Sequence, residues 1–165
     1  MPLFIWLVLN NQIHWGLFLF VMAGVTDALD GYIAKKYGKI TELGKILDPL
    51  ADKILLTSSF VTLNVTGLIP LWLTLIVVTR DLLIIAGAMV FQVLTGSLKM
   101  EPLTISKVNT VMQIILIAVV MGNEIIPVWT GIRNFLFLTV MVTTISSGFI
   151  YIFLWTRKAV ERENS

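Results

Sequence analysis

The sequence contains no cysteine, which excludes both disulfide bonds and thiolate metal sites. Charged residues are also scarce: they make up 13% of the chain, whereas a soluble domain carries about a quarter. Histidine occurs once, as His14, near the start of an apolar run, and we interpret it as an interfacial or packing residue. Hydrophobic residues, in contrast, fill 57% of the 165 positions. The composition therefore predicts an integral membrane protein.

Apolar runs separated by short polar segments predict six helices. A spanning helix needs about 20 apolar residues, and the runs that approach this length cover 14–34, 42–64, 70–94, 104–121 and 131–155. The first run, 2–9, is less than half as long. It is either interfacial or the remainder of a spanning helix truncated at the N-terminus. The sequence thus predicts an all-α integral membrane protein, a bundle of six transmembrane helices that forms a single domain over residues 1–165.

The basic residues indicate how this bundle is oriented. Lysines and arginines concentrate in the connection that begins at Lys35, in the loop after the fourth helix and at the C-terminus. When loops alternate across the membrane, these three segments lie on one side, which the positive-inside rule assigns to the cytoplasm. We therefore expect a multi-pass protein of a bacterial inner membrane or an organelle membrane, with its acidic stretch at the cytoplasmic end.

That acidic stretch, 26–53, carries five of the ten acidic residues, and four of the five are aspartates. Asp27, Asp30, Gly31 and Ala34 lie at i, i+3, i+4 and i+7, so one helix face presents two carboxylates and two small residues. Small residues let membrane helices approach each other closely, and they also leave room for a substrate. Because these small residues lie on the same helix face as the aspartates, we favour a role in substrate access over a role in helix packing.

A second carboxylate face follows on the next helix, where Gly44, Asp48 and Asp52 repeat every four residues. Four unpaired carboxylates at mid-membrane would cost on the order of 10 kcal/mol, at roughly 2.5–3.5 kcal/mol each. Neighbouring lysines could pair with them, but the regular spacing favours bound cations, and Mg²⁺ or Mn²⁺ prefers carboxylate ligands. The sequence therefore predicts a two-metal site held by Asp27, Asp30, Asp48 and Asp52.

Two cations outside the acidic stretch are candidates for binding phosphate. Arg80, followed by Asp81, interrupts the fourth apolar run, and a charge within a membrane helix is by default a functional hypothesis. Lys107 opens the fifth helix. Together they could form a cationic pocket for a phosphate beside the metal site. The alternative is that Arg80 and Asp81 form a structural ion pair.

The order of these residues resembles the signature of the CDP-alcohol phosphatidyltransferases. The signature reads Asp-x-x-Asp-Gly-x-x-Ala-Arg-x8-Gly-x3-Asp-x3-Asp, and it aligns in register from Asp27 to Asp52. Lys35 stands where the pattern has arginine, which keeps the charge and loses the bidentate phosphate contact. The segments 48–53, 79–81 and 105–110 resemble the branch that contains phosphatidylglycerophosphate synthases and eukaryotic-type cardiolipin synthases.

The resemblance implies an enzyme of anionic phospholipid synthesis that transfers the phosphatidyl group of CDP-diacylglycerol to an alcohol and releases CMP. Glycerol 3-phosphate is the expected acceptor, and phosphatidylglycerol, which would give cardiolipin, is the alternative. Two Mg²⁺ or Mn²⁺ ions are the implied cofactors. We also expect a homodimer among membrane lipids, and no nucleic-acid partner.

The resemblance also implies a role for each site residue. Asp48 and Asp52 would be catalytic, with Asp52 as general base for the acceptor hydroxyl. The residues implied in substrate binding are Gly31, Ala34, Lys35 and Gly44 for the nucleotide, and Arg80 and Lys107 for the phosphate of the acceptor.

Two other classes of function fit parts of this pattern. A divalent-cation channel or transporter would also use carboxylates, but it would spread them along a pore, whereas these four cluster at one end. A catalytically inactive scaffold would be expected to lack a metal ligand, and the signature keeps all four aspartates. The clustering therefore favours the enzyme.

Replacing Asp48 or Asp52 by asparagine tests the predicted metal site. Each change removes a charged ligand at nearly constant size, so we expect CMP release from CDP-diacylglycerol to fall to background while the protein stays folded. Release of labelled CMP measures activity, and size-exclusion chromatography checks the fold. Substantial turnover by both variants would remove these aspartates from the mechanism.

Overall fold

In a computed structural model of the chain, the described residues form six α-helices and no β-strand. The structure describes residues 1–37, 42–95, 104–126 and 130–163, with the side chains of 27, 28, 30–51, 88–95, 130 and 155–163 outside the description. The helices are α1 Pro2–Leu9, α2 Ile13–Tyr37, α3 Glu42–Val65, α4 Leu71–Thr95, α5 Thr104–Ile125 and α6 Thr130–Glu163. This order confirms the predicted all-α fold class.

The helix boundaries follow the predictions closely, with three exceptions. The helix predicted to end at 34 continues as α2 to Tyr37, so the basic connection does not begin at Lys35 as predicted. The helix predicted to end at 121 continues as α5 to Ile125, and the one predicted to end at 155 continues as α6 to Glu163. All three predictions stopped where the apolar run stopped. Helical hydrogen bonds join backbone groups and do not require apolar side chains, so a polar extension continues a helix without a break.

Two of the described helices have the length and composition of membrane spans. These are Thr104–Ile125, with a mean hydropathy of 1.7, and Gly131–Leu154, with 1.9. A shorter apolar segment, Ile13–Thr26, precedes the acidic stretch. The described residues therefore support the membrane character of the chain, while the full set of six spans stays a prediction.

The first compact unit comprises Met1–Pro70 and Ile117–Thr130. In this unit α1 packs against α2 and α3. The α1 side chains of Phe4 and Val8 are buried, and the ring of Phe4 lies 6.1 Å from that of Phe20 on α2, centroid to centroid. Although α1 has only eight residues, it is thus an integral part of the packing.

The turn after α3 depends on one glycine. Gly67 has a φ of 77°, a left-handed conformation that costs glycine least. It allows the N–H of Leu68 to donate to the carbonyl of Leu63 at 2.9 Å, and Asn64 Nδ2 donates to the carbonyl of Ile69 at 3.0 Å. The last carbonyls of α3 are therefore satisfied where the helix ends.

The second compact unit comprises Leu71–Leu116 and Gly131–Ser165, and its interior is unusually polar. The polar residues that it buries are Thr74, Arg80, Asp81, Asn109, Gln113, Thr144 and Ser147. Many of its exposed side chains are large and apolar instead, such as Phe135 at 66% exposure and Phe149 at 69%. This inverted distribution is what a lipid environment favours, because polar groups must find partners inside the protein.

Substituting Gly16 by alanine tests the packing of the first unit. A Cβ at this position would lie 2.9 Å from Cγ2 of Val8 and 3.1 Å from Cε of Met121. Val8 is buried and stiff at χ1, so it has little room to move. We expect Gly16→Ala to destabilise the protein by about 1–3 kcal/mol, measured as a lower Tm in detergent.

Gly24→Ala on the same helix is the matched control. No atom of the described part of the chain lies within 4 Å of its added Cβ, so the gain in helix propensity, up to about 1 kcal/mol, should leave the Tm unchanged or raise it. A Tm for Gly16→Ala equal to or above that of Gly24→Ala would contradict the close packing of α1 on α2.

Candidate functional site

The predicted metal ligands belong to α2 and α3. The side chains of three of these ligands, Asp27, Asp30 and Asp48, lie outside the described residues. The same holds for the predicted nucleotide-binding residues Gly31, Ala34, Lys35 and Gly44. Asp52 is described and is half-buried on α3. Within the described side chains, no group of three or more His, Cys, Asp or Glu could hold a metal ion. Three of the four predicted ligands are outside that set, so the two-metal site stays a prediction.

Arg80 lies on α4, in the second unit, and its guanidinium contacts three helices. The side chain is only 4% exposed. Nη1 donates to Oδ1 of Asp81 at 2.7 Å, which makes a buried ion pair. Nη2 donates to Oγ of Ser106 on α5 at 2.9 Å and to Oγ of Ser147 on α6. These contacts fix the plane of the guanidinium.

One donor of Arg80 is left over from this arrangement. Its Nε is buried and has no hydrogen-bond partner among the described residues. A buried N–H without a partner costs about 1–3 kcal/mol, so a ligand oxygen at this position would be stabilised. The predicted ion pair with Asp81 is therefore present, but it does not use the full hydrogen-bonding capacity of Arg80.

The two serines extend the donor set around Arg80. Ser106 and Ser147 accept hydrogen bonds from Nη2 through their oxygens. A hydroxyl that accepts still carries its own O–H, which can donate elsewhere. The guanidinium Nε and two hydroxyls are thus three potential donors around one buried cation. Such a set suits a ligand rich in oxygen acceptors, as a phosphate is.

A second polar contact lies along the same face of α5. Asn109 is fully buried, and its Oδ1 accepts from the hydroxyls of Thr143 at 2.8 Å and Thr144 at 2.9 Å. Ser106 and Asn109 are three residues apart and therefore lie on the same side of α5, where Ser106 contacts Arg80 on α4 and Asn109 contacts α6. This contact fixes the two helices on which the serine partners of Arg80 are located.

Lys107 occupies a different environment from Arg80. It lies on α5 and is exposed, and its neighbour Ser106 is the α5 residue in contact with the guanidinium. Successive residues of a helix point about 100° apart, which explains why Lys107 and Ser106 do not share a face of α5. The joint phosphate pocket of Arg80 and Lys107 stays a prediction, with Ser106 as the α5 contact that the structure describes.

Sequence reasoning missed the partners that α6 contributes. Ser147, Thr143 and Thr144 form a short hydroxyl cluster inside an otherwise apolar helix. Such a cluster in a predicted membrane span could have indicated an interhelical contact, because hydroxyls that are buried there need hydrogen-bond partners. Asn109 was part of the 105–110 segment, but only as a point of resemblance.

Comparison with known proteins places the chain in a family. The family model of the CDP-alcohol phosphatidyltransferases matches residues 1–153, and the chain belongs to that family. Its membership confirms the resemblance that the signature from Asp27 to Asp52 indicated.

Several curated relatives are similar to the chain over most of its length. It is 32% identical to "Cardiolipin synthase (CMP-forming)" of Rattus norvegicus and to that of Homo sapiens, in each case over 97% of this chain and 58% of the relative. It is 41% identical to the "CDP-diacylglycerol--glycerol-3-phosphate 3-phosphatidyltransferase" of Bacillus subtilis, over 40% of this chain and 34% of the relative. The chain thus spans 58% of the length of the mammalian relatives.

Arg80→Ala tests whether the cation binds the acceptor. Losing hydrogen bonds to a charged group costs about 1.5–3 kcal/mol, so we expect the KM for the acceptor to rise about 10- to 100-fold. The KM for CDP-diacylglycerol should change much less. Steady-state CMP release, with each substrate varied in turn, measures both constants. Equal effects on the two would mean that Arg80 is structural.

A milder variant is needed as well, because Arg80→Ala removes the arginine that pairs with the buried Asp81 and could therefore misfold the protein. Ser147→Ala removes one contact of the guanidinium and should raise the acceptor KM in the same direction by a smaller factor. Ser146→Ala, on the same helix and only half-buried, is its control. The two serine variants should differ if Ser147 positions Arg80.

Proposed function

We propose that the chain transfers the phosphatidyl group of CDP-diacylglycerol to the hydroxyl of a phosphate-bearing alcohol and releases CMP. The observation that carries this proposal is the aspartate signature, in register from Asp27 to Asp52, in a chain whose family match covers residues 1–153. The printed names of its relatives describe CMP-forming and CDP-diacylglycerol-dependent synthases. Those activities belong to the relatives and support the same reaction here.

The reaction is a substitution at phosphorus. The acceptor hydroxyl oxygen attacks the phosphorus of the phosphatidyl group, and the bond from that phosphorus to the bridging oxygen of the CMP phosphate breaks. CMP leaves with the electron pair, while the hydroxyl proton passes to a carboxylate, for which we propose Asp52.

Four carboxylates would hold the metal ions of this reaction. Asp27, Asp30, Asp48 and Asp52 form a donor set of oxygens, which Mg²⁺ and Mn²⁺ prefer over softer metals. Two such ions would supply charge neutralisation for the pyrophosphate oxygens. Gly31, Ala34, Lys35 and Gly44 would line the nucleotide side of this site.

Arg80 would hold the phosphate of the acceptor. Its fixed guanidinium, the spare donor at Nε and the hydroxyls of Ser106 and Ser147 provide hydrogen bonds that a phosphate can accept. In our proposal Lys107 supplies a second cation at the exposed edge. Both glycerol 3-phosphate and phosphatidylglycerol carry the required phosphate and hydroxyl.

The wider arrangement belongs to the same proposal. We place six membrane spans around the site, with the aspartates at the cytoplasmic end, because the basic segments of the chain follow the positive-inside pattern. We also propose that the protein acts as a homodimer in the membrane.

Removing and restoring the metal tests the proposed reaction. Purified protein with Mn²⁺ or Mg²⁺, labelled CDP-diacylglycerol and either acceptor should release CMP and form a new phospholipid. EDTA should abolish both, since the aspartates alone cannot neutralise the pyrophosphate, and either ion should restore them. Thin-layer chromatography of the labelled lipid identifies the product.

The rival transport function needs its own control. Protein in liposomes that took up Mn²⁺ without forming any phospholipid would favour a channel or transporter. Release of CMP in the absence of an acceptor, at the same rate as in its presence, would instead indicate a hydrolase.

A further inference from the structure

A groove runs between α4 and α6 in the second unit, with Arg80 in its lining. Its volume of about 340 Å³ is at the lower end of the range of ligand pockets, which is roughly 300–1,000 Å³. Apart from Arg80, Gly148 and two threonines, its walls are apolar, formed by Leu75, Ile76, Leu83, Ile145, Phe149 and Ile152. The groove thus joins one buried cation to a long apolar surface.

The groove has the dimensions of a single hydrocarbon chain. It follows α4 from 75 to 83 and α6 from 144 to 152, which is roughly 12 Å at 1.5 Å per residue. One leaflet of the bilayer core is about 15 Å thick, half of about 30 Å. Leu75 and Phe149 on its rim are 56% and 69% exposed, so the groove opens towards the outer surface of the unit.

Gly148 keeps the floor of the groove open beside Arg80. A Cβ on this glycine would lie 3.7 Å from Cγ of Arg80 and would meet no other atom of the described residues within 4 Å. The absent side chain therefore leaves the stem of Arg80 as part of the groove wall. A chain lying in the groove would pass directly beside the residue whose Nε has no partner among the described residues.

The charge balance at Arg80 restricts the kind of phosphate that fits. The formal charges of Arg80 and Asp81 cancel in their ion pair, and the exposed Lys107 is not among the residues that line the groove. The described residues at the groove therefore do not compensate a strongly anionic ligand. A phosphomonoester carries a charge of about −1.5 to −2 at pH 7, whereas a phosphodiester carries a single charge. Because burying a second uncompensated charge is costly, the site favours the diester.

We propose that this groove binds an acyl chain of a phospholipid acceptor, whose phosphodiester lies against Arg80. The inference rests on the proposed function and narrows its acceptor to a lipid, in place of a water-soluble alcohol phosphate. The apolar walls of the groove and the preference for a phosphodiester are independent features. A phospholipid whose head group carries a hydroxyl, such as phosphatidylglycerol, fits both.

Filling the groove with a larger side chain tests this assignment. Ile145→Trp narrows it, and Val142→Trp, one turn earlier on α6 and at an outward position that does not line it, is the matched control. With long-chain phosphatidylglycerol, Ile145→Trp should raise the acceptor KM about tenfold over the control, because the chain is displaced. With glycerophosphoglycerol, the deacylated form, both variants should match the unsubstituted protein.

The same comparison can overturn the assignment. Equal losses with acylated and deacylated acceptors would show that the tryptophan disturbs the site generally. Equal KM values for the two tryptophan variants with the long-chain acceptor would show that no chain lies in the groove. The KM for CDP-diacylglycerol, measured in parallel, should stay unchanged in both variants.

A binding measurement separates failure of this inference from failure of the proposed function. The protein is placed in phosphatidylcholine nanodiscs with a trace of phosphatidylglycerol that carries a photoreactive group on one acyl chain. Mass spectrometry should find crosslinks enriched at 75–83 and 144–152 over the outward positions Leu138 and Val142, and Ile145→Trp should reduce them. Uniform labelling of α6 would overturn the lipid site, even if CMP release proved normal. Enriched labelling without CMP release from any acceptor would keep the lipid site and reject the reaction.

Discussion

The burial of one guanidinium in an apolar helix is the constraint on which the second unit depends. A charged side chain within a membrane span is costly unless it is paired, and Arg80 is 4% exposed. Asp81 supplies the opposite charge on the same helix, while Ser106 and Ser147 bring α5 and α6 to the remaining donors. The positions of three helices are therefore linked to the hydrogen bonds of a single residue.

The neighbouring polar contacts follow from the same constraint. Lipid offers no hydrogen bonds, so polar side chains of membrane helices turn inwards and pair across helices. Asn109, with Thr143 and Thr144, forms such a contact within one turn of Ser106. Interhelical hydrogen bonds of this kind are worth roughly 0.6–2 kcal/mol each. Their larger effect here is geometric, because they hold Ser147 within reach of Arg80.

The fold class and the importance of Arg80 could be predicted from the sequence, but the hydrogen-bond partners of Arg80 could not. Apolar runs locate helices because hydrophobic patterning is a local property, and the polar extensions of α2, α5 and α6 were missed. Arg80 was recognisable because a charge in an apolar run is exceptional. Ser147 lies 67 residues away from it, and no local pattern specifies which helices meet. The aspartate signature identified the family without any structure, since its spacing is fixed within two adjacent helices.

In the proposed function, the ion pair that offsets the buried charge of Arg80 would also determine what this residue can recognise. An isolated arginine would attract any anion, the more strongly the higher its charge. Once Asp81 cancels its formal charge, recognition depends on directed donors, namely Nε and the serine hydroxyls. Hydrogen-bond donors with a fixed direction bind a ligand more tightly when other contacts already hold that ligand in place. Its oxygens are then oriented before they reach the donors, which lowers the entropic cost of binding. An acyl chain lying in the groove beside Gly148 would provide that orientation, so apolar and polar recognition reinforce each other on one pair of helices. A small soluble phosphate has no such second contact in the groove. Only its hydrogen bonds would then offset the entropy that is lost on binding.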